Sequence, residues 1–270
     1  MNRIDVCFSK LAASKSAALI PFITAGDPLP EATVAVMHAL VGAGADLIEL
    51  GMPFSDPMAD GPVIQHADER ALRRHVGIAD ILGWVRTFRE RDAGTPVVLM
   101  GYLNPIAIHG IERFAGEARE AGVDGVLVVD CPIEEDAFLQ PLRDAGLERI
   151  LLVAPTTSEA RLARAIDAAE GYLYYVSFAG ITGALKLSVP DVAARVANLR
   201  ARAGVPVAVG FGIKDGASAK AIAGFCDAVV IGSALVERLA DAADVHAACE
   251  RAQTFLAPIR KALDEGRSLR

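Results

Sequence analysis

Glu49 fits its surroundings least. It lies in Leu47-Ile48-Glu49-Leu50-Gly51, a short apolar run. In an extended strand, successive side chains point to opposite faces, so Ile48 and Leu50 share one face and Glu49 takes the other. A carboxylate among aliphatics either finds a cation or holds its proton well above the usual range. Pairing with a distant Arg or Lys is the plain structural reading, but few basic residues lie in the apolar runs. A carboxyl tuned toward neutrality is what acid–base catalysis needs. The next segment, Met52-Pro53-Phe54-Ser55-Asp56-Pro57-Met58-Ala59-Asp60-Gly61-Pro62, is long, proline-rich and carries two Asp. Either could be a turn or cap residue, since Asp56 precedes Pro57 and Asp60 precedes Gly61-Pro62 and a helical pattern. Spacing alone ranks them equally as a second catalytic carboxyl.

Other apolar runs end in polar groups. Tyr102 and Asn104 follow the third run, Asp130 follows the fourth, and Tyr174 and Tyr175 lie in the sixth. A core tyrosine more often packs than reacts, though a buried hydroxyl still needs a partner. The last three runs end in glycine turns: Gly180-Ile181-Thr182-Gly183, Gly210-Phe211-Gly212-Ile213 and Gly232-Ser233-Ala234. Backbone N–H groups exposed at such turns cradle phosphate. Lys10, Lys15, Lys186, Lys214, Lys220 and Lys261 all fall in helical or loop segments, which disfavours a Schiff-base aldolase. The five His are scattered without metal-ligand spacing, which disfavours a zinc aldolase. The chemistry expected is therefore that of carboxylates on a small phosphate ester, with neither a metal nor a bound cofactor.

These residues need a frame. Strands are expected at Ala18–Ile23, Leu47–Leu50, Pro96–Met100, Gly125–Val129, Ile150–Val153, Leu173–Ser177, Pro206–Val209 and Ala228–Ile231. All are short and nearly all apolar, as parallel strands covered on both sides are. Helical periodicity marks Glu31–Val41, with Val34, Met37 and Val41 on one face, and Val245–Ile259, with Val245, Cys249, Ala252, Leu256 and Ile259 on one face. A further helix is expected over Ile78–Asp92 and an amphipathic N-terminal one over Arg3–Ser14. Ala-Gly pairs at Ala43-Gly44, Ala121-Gly122, Ala145-Gly146, Ala203-Gly204 and Ala223-Gly224 separate helix from strand, with Gly in the left-handed conformation that closes a helix. Eight strands alternating with helices is the arithmetic of a (β/α)8 TIM barrel, an α/β fold, and 270 residues suit one such domain spanning 1–270. Alternation alone leaves a doubly wound open sheet as the second choice.

Composition narrows the function class. No apolar run approaches the roughly 20 residues of a membrane span, and the charged start Met1-Asn2-Arg3-Ile4-Asp5 is unlike a signal peptide. A cytoplasmic protein is expected. The formal charge of −7, without a long basic run, argues against nucleic acid. Cys7, Cys131, Cys226 and Cys249 lie far apart and read as free buried thiols.

The run from Ile48 to Gly61 resembles the signature of the tryptophan synthase alpha chain family. Phe22-Ile23-Thr24-Ala25-Gly26-Asp27-Pro28, Asp130-Cys131-Pro132-Ile133-Glu134-Glu135 and the glycine turns at 180–183 and 210–213 are similar to that family's segments in the same order. The resemblance spans essentially the whole chain. It implies cleavage of indole-3-glycerol phosphate to indole and glyceraldehyde 3-phosphate, with Glu49 and Asp60 as the catalytic pair. It also implies Tyr174 as the active-site tyrosine, Thr182 as the partner of the loop aspartate, and Gly183, Gly212, Gly232 and Ser233 as the phosphate-binding backbone. Phe22, Tyr102 and Phe211 would surround the indole. Phe178 and Ala179 depart from the family, many of whose members carry Arg and a small hydroxyl residue there. A pyridoxal-phosphate beta chain is the implied partner, in an alpha2beta2 heterotetramer, docking on Pro53–Pro57, Asn104–Ile108 and Asp130–Glu135. Two other classes stay open on the residues themselves: another phosphate-binding barrel enzyme, such as a sugar-phosphate isomerase, and a non-catalytic metabolite-binding regulator.

Overall fold

A chain that alternates apolar runs with helices buries both faces of its strands by wrapping the helices around them. A computed structural model, which describes residues 2–176, 189–210 and 212–266, has this arrangement. Its strands are β1 (Ala18–Thr24), β2 (Ile48–Gly51), β3 (Val97–Gly101), β4 (Gly125–Val128), β5 (Glu148–Val153), β6 (Leu173–Val176), β7 (Val207–Gly210) and β8 (Ala228–Ile231). Each pairs in parallel with the next, and β8 returns to β1 through Ala18↔Ala228 to Pro21↔Ile231. That closure makes the fold a TIM barrel and excludes the open sheet. Strand ends fall within a residue or two of expectation, and Ser177 lies outside the described residues. The largest difference is β5, which begins at Glu148 rather than Ile150 and so places Arg149 on a strand.

Alternation sorts each strand between two cores. Ile48 and Leu50 join the outer core against the helices, while Leu47 joins the interior cluster with Val98, Leu127, Ile150, Tyr172, Tyr174, Ala208 and Val230. The interior is lopsided. Tyr172, just before β6, and Tyr174 on it bring two tyrosines inward, and the next strands round the barrel, β7, β8 and β1, answer with Ala208, Ala228 and Ala18. Bulk on one strand is accommodated by small residues beside it, which keeps a barrel core at normal density.

The N-terminal helix Arg3–Ala13 forms as expected, with Asn2 capping it and Asp5 completing the capping box. Its buried residues, Ile4 and Phe8, enter the barrel-interior cluster, and the Phe8 ring lies 5.8 Å from that of Tyr172. The helix thus closes the N-terminal mouth. Helix Thr33–Gly42 extends the expected face: Met37 is buried and Val34 and Val41 pack half-buried against the core, and Val36, Ala39 and Leu40 are buried as well. Nearly all its residues are apolar, so periodicity could not choose a face. Of the five Ala-Gly punctuation sites, Gly44, Gly122 and Gly146 take positive φ, but Gly224 is right-handed at −58° and Gly204 is not among the positive-φ glycines. The helix Val245–Gly266 runs past the expected end and buries Ala252, Leu256 and Ile259. Cys226 is buried and the other three cysteines are half-buried, and no disulfide joins any of the four. No helix among the described residues is long and apolar enough to cross a membrane.

One ion-paired residue ties the N-terminal end together. Asp124 is 1% exposed and accepts from Arg3 Nη1 at 2.9 Å, Arg89 Nη2 at 2.8 Å and the Val97 backbone N–H at 2.8 Å. It links the N-terminal helix, the helix Ile78–Arg89 and β3. Removing one partner of a buried pair strands the others. Asp124→Ala is expected to cost about 3 kcal/mol in urea unfolding at neutral pH. A loss below about 1 kcal/mol would place this network among the weak surface pairs.

Candidate active site

The C-terminal mouth of the barrel opens onto a cavity of about 490 Å³. Phe22, Glu49, Met100 and Tyr174 line its floor and wall, and Gly210, Gly212, Gly232 and Ser233 line its far side. These residues come from β1, β2, β3, β6, β7 and β8, so the site exists only because the barrel closes.

Glu49 is fully buried at the middle of β2, level with Phe22 on β1 and Val98 on β3. Its Oε1 accepts from the Tyr172 hydroxyl at 2.6 Å, and its Oε2 is buried with no protein partner among the described residues. Burial pushes the carboxyl up to about 7, against the opposing pull of the Tyr172 hydrogen bond. The basic partner that sequence could not exclude is therefore replaced by a phenol. Tyr172 escaped the sequence reading, which began the sixth strand at Leu173. Counting back two positions from Tyr174 would have put it on the same inward face.

Tyr174 also points inward and lines the cavity, while Tyr175 belongs to the outer core. Tyr174 lies so close over Gly210 that any Cβ there would collide with its hydroxyl. Burial raises its phenol well above the ordinary value, with Glu49 and then Asp60 adding to the shift, so both carboxyls act on this one tyrosine.

The structure separates the two loop aspartates. Asp56 is exposed and accepts from the neighbouring Ser55 hydroxyl at 2.6 Å. Asp60 is half-buried, and its Oδ2 accepts from the Tyr102 hydroxyl at 2.7 Å. Tyr102 in turn accepts from the Ala59 backbone N–H at 3.0 Å and stacks on Phe54 with centroids 5.1 Å apart. Gln65 donates to the Asp60 carbonyl at 2.8 Å, fixing the entry to helix Pro62–Leu72. Burial raises the Asp60 pKa, and the Tyr102 hydrogen bond lowers it. Tyr102, expected near the indole, is thus turned to Asp60, and this pair stands beside the cavity without lining it.

On the far side, Gly212 has φ +51°, a left-handed conformation that leaves room above its backbone. Gly232 precedes the short helix Ser233–Leu239. Lys214 and Arg238 stand on the same rim. Thr182, Gly183 and Phe211, with Phe178 and Ala179, lie outside the described residues.

Comparisons with known proteins agree with this geometry. The family model described as "Tryptophan synthase alpha chain" matches residues 8–264. A tryptophan synthase alpha chain from Xylella fastidiosa (strain 9a5c) is 61% identical over 265 residues, covering 98% of this chain and 99% of the relative. One from Xanthomonas axonopodis pv. citri is 61% identical over 268 residues, covering 98% and 100%. Among solved structures, the tryptophan synthase subunit alpha from Legionella pneumophila str. Paris superposes with a TM-score of 0.91 at 45% identity, covering 98% of this chain and 99% of that one. A tryptophan synthase structure from M. tuberculosis gives 0.86 at 34% identity, covering 97% and 99%. With the family model matching nearly the whole length and these relatives far above the level at which fold alone is shared, the chain belongs to the tryptophan synthase alpha chain family.

Proposed function

We propose that this barrel is a lyase that splits indole-3-glycerol phosphate into indole and glyceraldehyde 3-phosphate, with Glu49 as acid and base and Asp60 as the electrostatic partner. The observation that carries the reading is the Glu49 carboxyl, held near neutrality with one oxygen unpartnered in a cavity whose other end is glycine backbone.

The bond to be broken joins indole C3 to the carbinol carbon of the side chain. Glu49, starting as the acid, gives its proton to indole C3. The ring becomes an indolenine-like cation with its charge on N1–H. Asp60, orienting Oδ2 on Tyr102, offers Oδ1 to that N1–H and stabilises the charge as it forms. The carbon–carbon bond then breaks and its electrons restore the aromatic ring. The carbinol hydroxyl becomes the aldehyde and its proton returns to Glu49, so the enzyme ends as it began. Backbone N–H groups of Gly212, Gly232 and Ser233, with Gly183, hold the phosphate, and Phe22, Tyr174 and Phe211 pack around the indole. The residues require no cofactor for these steps. The whole chain, 1–270, acts as one domain in the cytoplasm.

The same mouth supports a beta-chain partner in an alpha2beta2 assembly. Met58 is 82% exposed and Ile108 80%, and they project from neighbouring strand-end segments. Asp130, at the start of one expected docking segment, accepts at 2.7 Å from the backbone N–H of Leu103, the residue just before another. Covering these apolar residues orders the loop that carries Asp60, and Thr182 fixes the aspartate from the sixth loop.

Glu49→Gln is expected to lower indole release about 10²–10⁴-fold with substrate affinity largely kept; retention of more than half the activity overturns the assignment. The same variant removes a carboxyl whose folded pKa stands above its unfolded one. Such a group costs stability as pH rises past the unfolded value, and the cost is complete above about 7. Glu49→Gln should therefore melt no lower than the parent at pH 8, and a clearly lower melting point would contradict the buried-acid reading.

The pH profile tests Tyr172. Because Glu49 starts protonated, kcat falls as pH rises through its pKa. The Tyr172 hydroxyl stabilises the carboxylate, so Tyr172→Phe should move that alkaline limb upward by about one unit. An unmoved or lowered limb removes Tyr172 from the assignment. Addition of a tryptophan synthase beta chain should raise indole release at least tenfold, about 1.4 kcal/mol of barrier. Thr182→Val should lose most of that gain without unfolding. Equal rates with and without the beta chain, at saturating substrate, would show that Asp60 is already in place.

A further inference from the structure

Helix Pro62–Leu72 begins two residues after Asp60 and carries a second buried carboxyl, Asp68, only 4% exposed. Asp68 has no ion pair of its own among the described residues. Arg70, on the same helix, is committed to Asp27 through bonds of 2.6 and 3.0 Å. Instead, Asp68 Oδ1 accepts from the Thr24 hydroxyl and Oδ2 from the Phe54 backbone N–H, both at 3.5 Å. Thr24 is the last residue of β1 and is itself buried. Phe54 is the residue whose ring stacks on Tyr102, and Tyr102 holds Asp60.

We propose that Asp68 is a positioning residue for the cleavage reaction, gripping the 52–61 loop at Phe54 and so setting where Tyr102 presents Asp60. The inference rests on the assignment of Asp60 made above. Both Asp68 contacts sit at the outer limit of hydrogen bonding, so the carboxyl lies between the strand and the loop with slack to close. Hydrogen bonds of this kind often tighten only when ligand is bound. Electrostatics also argue against a purely stabilising role. Burial and the nearby Asp60 charge push Asp68 up to about 7, which marks a site where the ionised carboxylate is unwelcome. An apolar residue of similar volume would pack there at least as well, but it would leave the Phe54 N–H without an acceptor.

Three variants of the full chain test this, with indole release from indole-3-glycerol phosphate and thermal unfolding as readouts. Asp68→Leu should lower kcat at least tenfold with KM within about twofold. Asp68→Asn, which keeps an acceptor for Phe54 in the same volume, should hold kcat within about threefold. Thr24→Val, which removes the other anchor without touching charge, should lower kcat with KM unchanged and decides the matter if Asp68→Leu does not fold. An Asp68→Leu or Thr24→Val enzyme with parental kcat overturns the proposal. So does an Asp68→Asn enzyme as impaired as Asp68→Leu. Asp60→Asn measured in parallel separates the two levels: full activity there sinks the site assignment itself, whereas an inactive Asp60→Asn beside a fully active Asp68→Leu sinks only the role of Asp68.

Discussion

The Tyr172 hydroxyl donates to Glu49 at 2.6 Å in a barrel interior where no described cation lies within ion-pairing distance of the carboxyl. Two opposing magnitudes meet at that bond. Taking an ionised carboxylate out of water costs several kcal/mol even after the protein relaxes. One hydrogen bond to a charged group returns about 1.5–3 kcal/mol. Burial wins by a little, and the carboxyl settles near 7, which corresponds to about 3 kcal/mol of preference for the acid over an exposed glutamate. A second donor on Oε2 would favour the carboxylate. Without the phenol the carboxyl would hold its proton more tightly still. The surrounding structure maintains this balance: Phe8 packs beneath Tyr172, small residues on β7, β8 and β1 admit the tyrosines, and barrel closure excludes water from the interior.

The two carboxyls are held by different means, which suits the different work proposed for them. Glu49 sits mid-strand with hydrogen-bonded neighbours on both sides, and its position follows from the register of β1, β2 and β3. Asp60 belongs to a segment without regular structure between β2 and the next helix. Its side chain is placed by Tyr102, whose ring is placed by Phe54. A proton shuttle must stay at one distance from the reacting carbon, whereas a charge partner can act only once the ring is beside it. A loop supplies that adjustability.

Much of this was legible in the residues because period-2 alternation is strict. It put Glu49 inside and Ile48 and Leu50 outside, and the strands fell close to their expected limits. Turn chemistry correctly marked a helix start after Asp60, but it could not rank Asp56 against Asp60, since both have the residue types of plain turns. The resemblance picks Asp60, and in the structure its partial burial and its Tyr102 contact, 42 positions away, set it apart from the exposed Asp56. Tyr172 went unread because it lies just before the strand proper, where the alternation still holds although the strand assignment does not begin. Helix Thr33–Gly42 turns Met37 to the core with Val34 and Val41 packed at its edge, but its apolar surface all round carries no phase to mark Val36, Ala39 and Leu40 as buried too. Nothing in the sequence singles out Asp68, because its burial depends on the loop that folds over it.

The arrangement also bears on why such a site would answer to a partner. The exposed Met58 lies two residues from Asp60, on the same segment whose other side Phe54 packs on Tyr102. An apolar side chain left in water at that point gives a docking surface a direct mechanical hold on the loop. Covering it restricts the segment from outside, while Tyr102 and Gln65 restrict it from inside. An active-site displacement of about 1 Å can cost roughly a hundredfold in rate. The loop therefore need move very little for docking to change the chemistry. Glu49, locked in the barrel wall, would feel nothing, so coupling of this kind acts on charge stabilisation and leaves the proton shuttle untouched.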